Sequence, residues 1–397
     1  MALGKQYAGM WTLSQQMQAL SSGKWTGIPA VPSLYLWGRA HVGQIGDNST
    51  GTGRSSPVQL ASSVSWSSAD LGSQFSGAIK SDGTLWMWGG GNYGKLGINV
   101  STDLQSRSSP VQLGTDTNWY LISLGYLNAA AIKTNGTLWA WGQNSNELGL
   151  NDIITRSSPV QVGALTNWLK VFLTYNQTVA IKTNGTLWAW GANDSGQLGD
   201  NTVIPRSSPV QIGADTDWTN IGGHKKGPIA QKSNGTIWTW GRNAGDNSGT
   251  LALNDAINRS SPVQIGADTD WILSQGGGIS ASSFFTKTNG TLWGFGYNNY
   301  GLLGTGNAIK RSSPVQIGTL TTWSKTAATS GTGFMVKTDG TLWASGNGEY
   351  YGQLANNIGG GVTNYRSSPV QIGSSALWTD VKAGFEHVLA IETIPGT

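Results

Sequence analysis

The chain has 397 residues, of which 11% are charged, and it contains 58 Gly, 20 Trp and no Cys. Abundant glycine with large aromatic side chains is typical of short strands joined by tight turns and excludes a disordered chain, while the lack of cysteine excludes disulfides, thiolate catalysis and cysteine-ligated zinc. The net charge of +4 is mild, and no block of basic residues indicates nucleic acid or a membrane surface as a partner.

Residues 1–32 precede the repeating part of the chain and form a separate N-terminal segment. Apolar residues recur there at helical spacing, at Met10, Leu13, Met17 and Leu20. The pattern predicts a short helical or irregular extension of about three turns, which is weak when isolated. The segment has no apolar core of signal-peptide type and the chain has no long apolar run, so we expect a soluble, unprocessed protein without membrane insertion.

Two roles are open for this segment. The helix packs over one end of the folded domain, or it attaches the chain to a larger assembly. The string from Tyr7 to Trp25 resembles N-terminal segments of structural and tail proteins of marine bacteriophages. The resemblance implies an attachment role, with Trp11, Leu13, Met17 and Leu20 as the contacting residues.

After this segment, a repeated phrase organises residues 33–397. Arg-Ser-Ser-Pro-Val-Gln occurs seven times, beginning at Arg54, Arg107, Arg156, Arg206, Arg259, Arg311 and Arg366. A period of about 50 residues that carries strand and turn signals predicts a propeller or solenoid rather than several unrelated domains. We therefore expect one domain over residues 33–397.

Each unit is predicted to contain four short strands. In one complete unit they cover residues 119–124, 130–134, 137–141 and 158–162, with Asn135-Gly136 between the second and the third. Six units have Asn-Gly or Asp-Gly at this place, which favours a tight hairpin because the turn needs positive φ at both central residues. Paired Trp residues in the third strand are assigned to packing between blades. The proline of the repeated phrase lacks a ladder donor, which places the fourth strand at the blade edge.

The two ends of the chain each supply half of a unit. Residues 378–393 correspond to the first two strands, and residues 34–38 and 54–60 correspond to the third and fourth. We predict an all-β, seven-bladed β-propeller of four-stranded blades, in which one blade is closed by both termini. Such closure removes the exposed end strands of an open array.

The order of motifs within a unit resembles the repeat of the regulator of chromosome condensation family. A unit has Trp, then Ala-Ile-Lys-x-Asp/Asn-Gly-x-Leu-Trp-x-Trp-Gly, then Gly-Gln-Leu-Gly, each with variants, over residues 33–393. The resemblance implies a seven-bladed propeller. The family's Gly-x-x-His motif is matched only in the last unit, at Gly384 and His387. The resemblance leaves function open, because this scaffold serves exchange factors, a β-lactamase inhibitor and other proteins.

No residue pattern in the chain points to catalysis. The three histidines, His41, His224 and His387, belong to different units, and no phosphate loop, zinc-binding helix motif or nucleophile elbow occurs. We therefore predict a protein that is not an enzyme, with no metal site and no cofactor. The arginine of each repeated phrase is expected to bond carbonyl groups of a neighbouring blade, and the lysine ending each second strand to be solvated. Alternatively, these two rings of cations bind a polyanion.

Candidate binding residues lie where the units differ, in two sets of loops. Loops after the third strand are rich in Tyr and Asn, which suit recognition because they combine aromatic area with adaptable hydrogen bonding. The candidates there are Tyr93, Asn144, Asn193, Asp194, Tyr297, Asn299, Tyr300, Tyr350 and Tyr351. The other set joins the first two strands and includes Tyr126, Tyr175 and His224.

These observations favour a non-enzymatic structural and binding protein of a bacteriophage particle, as a component of the tail, a fibre or the head decoration. The protein would be located in the virion after production in the host cytoplasm. Its partners would be other virion proteins and a host-surface glycan or protein, with no nucleic acid. The alternative is a regulatory propeller that acts as a guanine-nucleotide exchange factor or as a protein inhibitor.

Overall fold

The computed structural model describes residues 31–61, 64–99, 105–225, 227–244, 249–274, 280–348, 351–355 and 365–394. Within them the chain forms 28 strands and one short 3-10 helix, Asn92–Gly94, and no helix long and apolar enough to cross a membrane. Every strand belongs to one of seven antiparallel sheets of four strands each. The predicted all-β propeller with seven four-stranded blades is confirmed.

The closing blade combines the two ends of the chain, and blades 1 to 6 follow in chain order. The closing blade contains β1 Val31–Arg39, β2 Gly53–Leu60, β27 Trp378–Ala383 and β28 His387–Ile394. Blade 1 contains β3 Trp66–Leu71, β4 Phe75–Lys80, β5 Leu85–Gly89 and β6 Arg107–Gln112. Blade 2 contains β7 Trp119–Leu124, β8 Asn128–Lys133, β9 Leu138–Gly142 and β10 Arg156–Gln161. Blade 3 contains β11 Trp168–Leu173, β12 Gln177–Lys182, β13 Leu187–Gly191 and β14 Arg206–Gln211.

The remaining three blades repeat this pattern. Blade 4 contains β15 Trp218–His224, β16 Gly227–Lys232, β17 Ile237–Gly241 and β18 Arg259–Gln264. Blade 5 contains β19 Trp271–Ile272, β20 Ser282–Lys287, β21 Leu292–Gly296 and β22 Arg311–Gln316. Blade 6 contains β23 Trp323–Ala328, β24 Thr332–Lys337, β25 Leu342–Asn347 and β26 Tyr365–Gln371.

The closing blade joins the termini through its two central strands. β1 pairs with β28 in antiparallel register, so that Trp37 faces Val388, and β28 pairs in turn with β27. The predicted closure of one blade by both termini is therefore confirmed. β1 begins at Val31, two residues before the predicted boundary of the propeller, and the rest of the N-terminal segment lies outside the described residues.

The first strand of each blade lies nearest the central axis and the fourth strand forms the rim. First strands of neighbouring blades contact each other, as β3 contacts β7 and β23 contacts β27. The fourth strand, which carries the repeated phrase with its proline, is an edge of every sheet, as predicted. We call the end of the disc with the tight turns between second and third strands the turn face. The loop face, at the other end, carries the turns between first and second strands and the long loops between third and fourth.

Large aromatic side chains fill the space between adjacent blades. Trp141 of blade 2 is 0% exposed and packs with Phe75 and Met87 of blade 1. Because residues two apart share a face of a strand, Trp139 lies on the same side of β9, where it packs half-buried against the same cluster. Equivalent indoles are fully buried at Trp37, Trp88, Trp190 and Trp240. The predicted packing of these rings between blades is confirmed.

Each long loop of the loop face is locked onto the next blade. Gly97 of blade 1 has φ +70°, and a Cβ atom there would lie 2.7 Å from Nε1 of Trp141. That indole N–H donates a hydrogen bond to the carbonyl oxygen of Lys95, 3.0 Å away. Two residues later, the N–H of Asn99 donates to the carbonyl oxygen of Ser157 in blade 2, at 2.8 Å. The loops are therefore held by the neighbouring blade as well as by their own.

We expect Gly97→Ala to destabilise the propeller more than Gly114→Ala. Both glycines have positive φ, which costs an alanine about 1–2 kcal/mol at either place. Only Gly97 is crowded, because nothing lies within 4 Å of a Cβ atom at Gly114. The contact with Trp141 should add about 1–3 kcal/mol of overpacking. Urea unfolding of both variants measures the difference, and equal losses would mean that Gly97 does not lock the loop.

Candidate functional site

The loops of the loop face are built around a buried asparagine. In blade 2, Asn144 is 4% exposed, and its Nδ2 donates to the carbonyl oxygens of Asp152 and Ile154, at 2.9 and 3.3 Å. Its Oδ1 accepts the N–H of Leu148 at 3.2 Å. The same anchoring recurs at Asn193, Asn243 and Asn298. Asn144 and Asn193, two of the predicted binding residues, are therefore committed to holding their own loops.

The arginine of the repeated phrase fixes the far end of the same loop. Arg156 pairs with Asp152 at 2.6 Å and also donates to the carbonyl oxygen of Ile154 at 2.8 Å. The pairs Arg54–Asp47, Arg206–Asp200 and Arg259–Asp255 repeat this arrangement. The prediction that these arginines bond carbonyls of a neighbouring blade is wrong for these four. The acid that pairs with each one lies in the loop of its own blade, only four to seven residues away.

With both ends of the loop fixed, aliphatic side chains at its outer part point into solvent. An isoleucine stands two residues before the arginine in each of blades 2 to 5, preceded by a second aliphatic residue in two of them. We call this set the aliphatic arc: Ile153, Ile154, Val203, Ile204, Ile257 and Ile309, which are 56–67% exposed. Single exposed apolar residues are ordinary, but repetition in four consecutive blades is a patterned surface. Our sequence reasoning missed it, although the phrase Ile-x-Arg-Ser-Ser-Pro was the available signal.

Aromatic and cationic side chains lie on the loop face near the axis. The rings of Tyr126 and Tyr175, in the first turns of blades 2 and 3, have centroids 4.2 Å apart. The ammonium of Lys225 in blade 4 lies 4.8 Å from the Tyr175 ring centroid. These three residues therefore form a connected patch across blades 2 to 4, three of the four blades that carry the arc.

The other predicted binding residues have varied surroundings. Tyr300 stacks on Tyr365 with centroids 5.3 Å apart, and Arg39 lies 4.8 Å over the ring of Tyr351. Tyr297 is half-buried against the core of its blade, and its hydroxyl accepts a hydrogen bond from exposed Asn299.

Two of the predicted binding residues, Tyr93 and Asp194, are exposed to solvent. Tyr93 is 43% exposed at φ 59°, and Asp194 is exposed and accepts a hydrogen bond from Gln197 at 2.6 Å. Tyr350 and the proposed attachment residues Trp11, Leu13, Met17 and Leu20 lie outside the described residues.

A serine of blade 1 lies beside the buried histidine of the Gly-x-x-His motif in the last unit. Ser76 Oγ lies 3.0 Å from Nε2 of His387, and both residues are 0% exposed. Burial lowers the pKa of His387 to about 3. Its Nδ1 has no hydrogen-bond partner among the described residues, so no carboxylate orients the ring as in a Ser-His-Asp triad. In the same described part of the chain, no three His, Asp or Glu side chains lie together as a metal site.

A carboxylate lines a small cavity at the axis. Asp70 of blade 1 shares a cavity of about 70 Å³ with Ser123 and Lys382. Its Oδ2 accepts the N–H of Leu124 of blade 2 at 2.8 Å. Burial raises the pKa of Asp70 to about 6, against the opposing effects of the Leu124 N–H and the Lys382 charge.

We expect Asp70 to make the fold less stable as pH rises through about 6. Its folded pKa lies above the unfolded value of about 3.9, so folding takes up a proton between these values and the benefit is lost at higher pH. Asp70→Asn keeps an acceptor for Leu124 but cannot ionise. Its urea midpoint should exceed that of the parent above pH 6 and approach it below about pH 4. Parallel profiles would refute this, and Asp194→Asn is the exposed control.

Parts of the chain match known proteins. Family models described as "Regulator of chromosome condensation (RCC1) repeat" match residues 82–132, 184–223 and 289–336, and also 120–147 and 170–197. Human E3 ubiquitin-protein ligase HERC2 is 27% identical over 124 residues, which are 30% of this chain and 2% of that protein. Ultraviolet-B receptor UVR8 of Arabidopsis thaliana is 31% identical over 120 residues, which are 29% of this chain and 27% of that protein. The matched segments thus span a minor part of these relatives.

Solved structures share the whole fold at low identity. Human WBSCR16 has a TM-score of 0.78 and 17% identity, covering 91% of this chain and 99% of that one. Prp20p of Saccharomyces cerevisiae, described with its binding properties to Gsp1p and histones, has a TM-score of 0.79 and 16% identity, covering 94% and 93%. At this identity the likeness establishes the fold.

These comparisons overturn the bacteriophage hypothesis. The relatives that share these repeats are cellular proteins, among them a ubiquitin ligase and an ultraviolet-B receptor. The prediction of a tail, fibre or head-decoration protein, located in the virion and bound to virion proteins or a host-surface glycan, is therefore wrong. The matched repeats do not include residues 1–32, on which the phage resemblance depended.

Proposed function

We propose that this chain is a regulatory propeller that binds a partner protein on its loop face and accelerates nucleotide exchange on a small GTPase. The aliphatic arc carries the proposal. Six exposed aliphatic side chains at equivalent places in blades 2 to 5 form a surface suited to another protein. On this proposal the protein acts by binding and reshaping its partner rather than by covalent chemistry.

The arc is presented on a frame that is rigid before binding. Asn144, Arg156 and Asp152 bond the loop of blade 2 at both ends, and the N–H of Asn151 donates to the carbonyl oxygen of Ser207 in blade 3 at 2.7 Å. A loop that is already ordered loses little conformational entropy on binding. Preorganised loops of this kind favour recognition of one partner surface.

The inner patch adds the polar and aromatic groups that interfaces use around an apolar contact. Tyr126, Tyr175 and Lys225 lie in the turns of blades 2 to 4, nearer the axis than the arc. Tyrosine gives large contact area with few rotatable bonds, and the ammonium can pair with a carboxylate of the partner. A partner that covers blades 2 to 4 would touch both the arc and this patch.

The choice of a GTPase as partner is supported by the comparison with yeast Prp20p. Its solved structure covers 94% of this chain and was described with binding to Gsp1p, a GTPase. On this proposal, the loop face of the shared fold contacts such a partner.

Fluorescent GDP release from Gsp1p tests the proposal. We expect the purified chain to accelerate release, and the double variant Ile154→Ser with Ile204→Ser to reduce the acceleration about tenfold, the loss typical of interface anchors. Leu377→Ser is the control, because Leu377 is 37% exposed but lies in a connection of the turn face. Both variants should keep the parent's melting temperature, since none of the replaced side chains is buried.

Two results would count against this function. If the chain neither bound Gsp1p or other small GTPases nor accelerated their GDP release, the proposed exchange activity would be wrong. Equal loss in the arc variant and in Leu377→Ser would show that the arc is not the contact. Binding that slows release would instead identify the chain as a protein inhibitor.

A further inference from the structure

Six blades place a lysine between two indoles on the turn face. The lysine ends the second strand, and its ammonium lies 3.4–5.8 Å from the centroids of two Trp rings, one in the first strand and one in the third. The lysines are Lys80, Lys133, Lys182, Lys232, Lys287 and Lys337. Lys133 and Lys182 are only 8% and 5% exposed. The prediction that these lysines are solvated strand ends is therefore wrong for them.

Three of these lysines form an ion pair with an aspartate of the loop that leads into the blade. The distances from Nζ to the carboxylate oxygen are 2.8 Å for Lys133–Asp116, 2.7 Å for Lys232–Asp215 and 2.8 Å for Lys287–Asp268. In blades 1 and 6, an aspartate of the adjacent tight turn interacts with the lysine, as Asp82 does with Lys80 and Asp339 with Lys337. Five of the six cations thus have a carboxylate in their surroundings.

Blade 3 is the exception. Leu165 stands where the loops of blades 2, 4 and 5 have aspartate, and the tight turn has Asn184 where blades 1 and 6 have aspartate. The Lys182 ammonium lies 4.8 and 3.4 Å from the ring centroids of Trp168 and Trp188, and in the described part of the chain no carboxylate oxygen lies within 4 Å of it. Leu165 itself is 48% exposed.

The charge state of the cation follows this difference. Burial lowers the pKa of Lys182, and no carboxylate offsets that effect. In blade 4, burial also acts to lower the pKa of Lys232, but hydrogen bonds and charge from Asp215 and Asp217 raise it overall. Lys182 therefore has the most to gain from an added carboxylate.

We propose that the turn face of blade 3 binds an acidic segment of a partner protein, whose carboxylate contacts Lys182 and whose neighbouring aliphatic side chain covers Leu165. The proposed ion pair already occurs three times within the protein, where Asp116, Asp215 and Asp268 each contact the equivalent lysine ammonium. The Trp pair fixes the cation in advance and excludes water from one side of the ion pair, which strengthens it. This site is separate from the loop face and does not depend on the exchange activity.

The surroundings favour a peptide over a nucleic acid. Leu165, in the loop that leads into the blade, and Leu169, which follows Trp168 in β11, expose aliphatic surface, 48% and 39%. The equivalent cations of the flanking blades 2 and 4 are already paired with Asp116 and Asp215. The phosphates of a nucleic acid would be repelled by these two carboxylates, and the lysines on either side of Lys182 are already paired and could not bind a second phosphate. One carboxylate flanked by apolar side chains fits the site better.

The test uses N-acetyl-Leu-Asp-Leu-amide and its Asn counterpart, titrated to millimolar concentration into the full chain with indole N–H resonances as the readout. We expect the Asp peptide to shift the signals of Trp168 and Trp188, and to bind about tenfold more tightly than the Asn peptide. Leu165→Asp should close the site from within and abolish these shifts. Asp116→Leu should open an equivalent site, because Lys133 pairs with no other carboxylate among the described residues, and shifts should then appear at Trp119 and Trp139.

The variants are matched, because each one installs the residue that another blade already holds. Both should keep a parent-like melting curve. No shift at Trp168 or Trp188, equal binding of the Asn peptide, or unchanged binding in Leu165→Asp would each overturn the proposal. Shifts produced by a ten-residue thymidine oligonucleotide but not by the Asp peptide would assign the site to nucleic acid instead.

Discussion

A chain that ends at Gly384 should lose cooperative folding, whereas a chain that ends at Ile394 should keep it. The shorter chain lacks β28, the central strand of the closing blade, which pairs with β1 on one side and β27 on the other. Val388, Leu389 and Ala390 of that strand are 0% exposed. Without β28, both neighbours expose unpaired edges and the ring is open. We expect a melting temperature at least about 10 °C lower, or no cooperative transition.

Calorimetry and circular dichroism of the two chains measure this effect. The chain that ends at Ile394 is the control, because it removes only residues 395–397 and leaves every described strand in place. A melting temperature of the shorter chain within about 3 °C of the control would mean that six blades are stable without closure. In that case the pairing of the termini would not contribute measurably to the stability of the fold.

Trp141→Ala should lower the free energy of unfolding by about 3–5 kcal/mol, the usual cost of deleting a buried large aromatic side chain. The indole is 0% exposed between blades 1 and 2. Its N–H satisfies the carbonyl oxygen of Lys95 at 3.0 Å, so the variant leaves a cavity and an unpaired acceptor. Gly97 would also lose the ring on which it packs.

Tyr120→Ala is the control for this variant. Tyr120 lies in the first strand of the same blade but is 57% exposed. Its removal should change stability by at most about 0.5 kcal/mol, as is usual for surface positions. Urea unfolding at neutral pH compares the two. A loss under about 1 kcal/mol for Trp141→Ala would show that neighbouring blades adjust to fill the space.

The candidate site was predictable from sequence only in part. Variation between units directed attention to the loops, and Tyr93 and Asp194 are indeed exposed there. Asn144 and Asn193 are the same residue type in the same loops, yet they are buried because their amides bond backbone carbonyls eight to eleven residues further along the chain. Residue type does not distinguish an amide that holds a loop from one that is free to bind.

The sequence by itself determined the architecture of this protein. Seven copies of one phrase, the Asn-Gly and Asp-Gly pairs, an edge proline and two half-units at the ends predicted the seven blades that the structure shows. The predicted turn geometry is wrong in one respect, because only the glycine of each pair has positive φ and the preceding Asn or Asp does not. These signals are local, so they can be read without knowing which residues meet in space.

Only the tertiary structure decided which side chains remain available for a partner. Arg156 turns to the acid of its own loop, so Ile153 and Ile154 point outward, and Lys182 lacks the carboxylate that its equivalents have. Residue type decides neither outcome, because the acid that pairs with Arg156 lies in its own loop rather than in the next blade, and among the described residues the carboxylate is absent beside Lys182 alone of the six lysines. Burial and pairing are properties of the assembled ring, because they are set by what the neighbouring loop and blade place beside a residue.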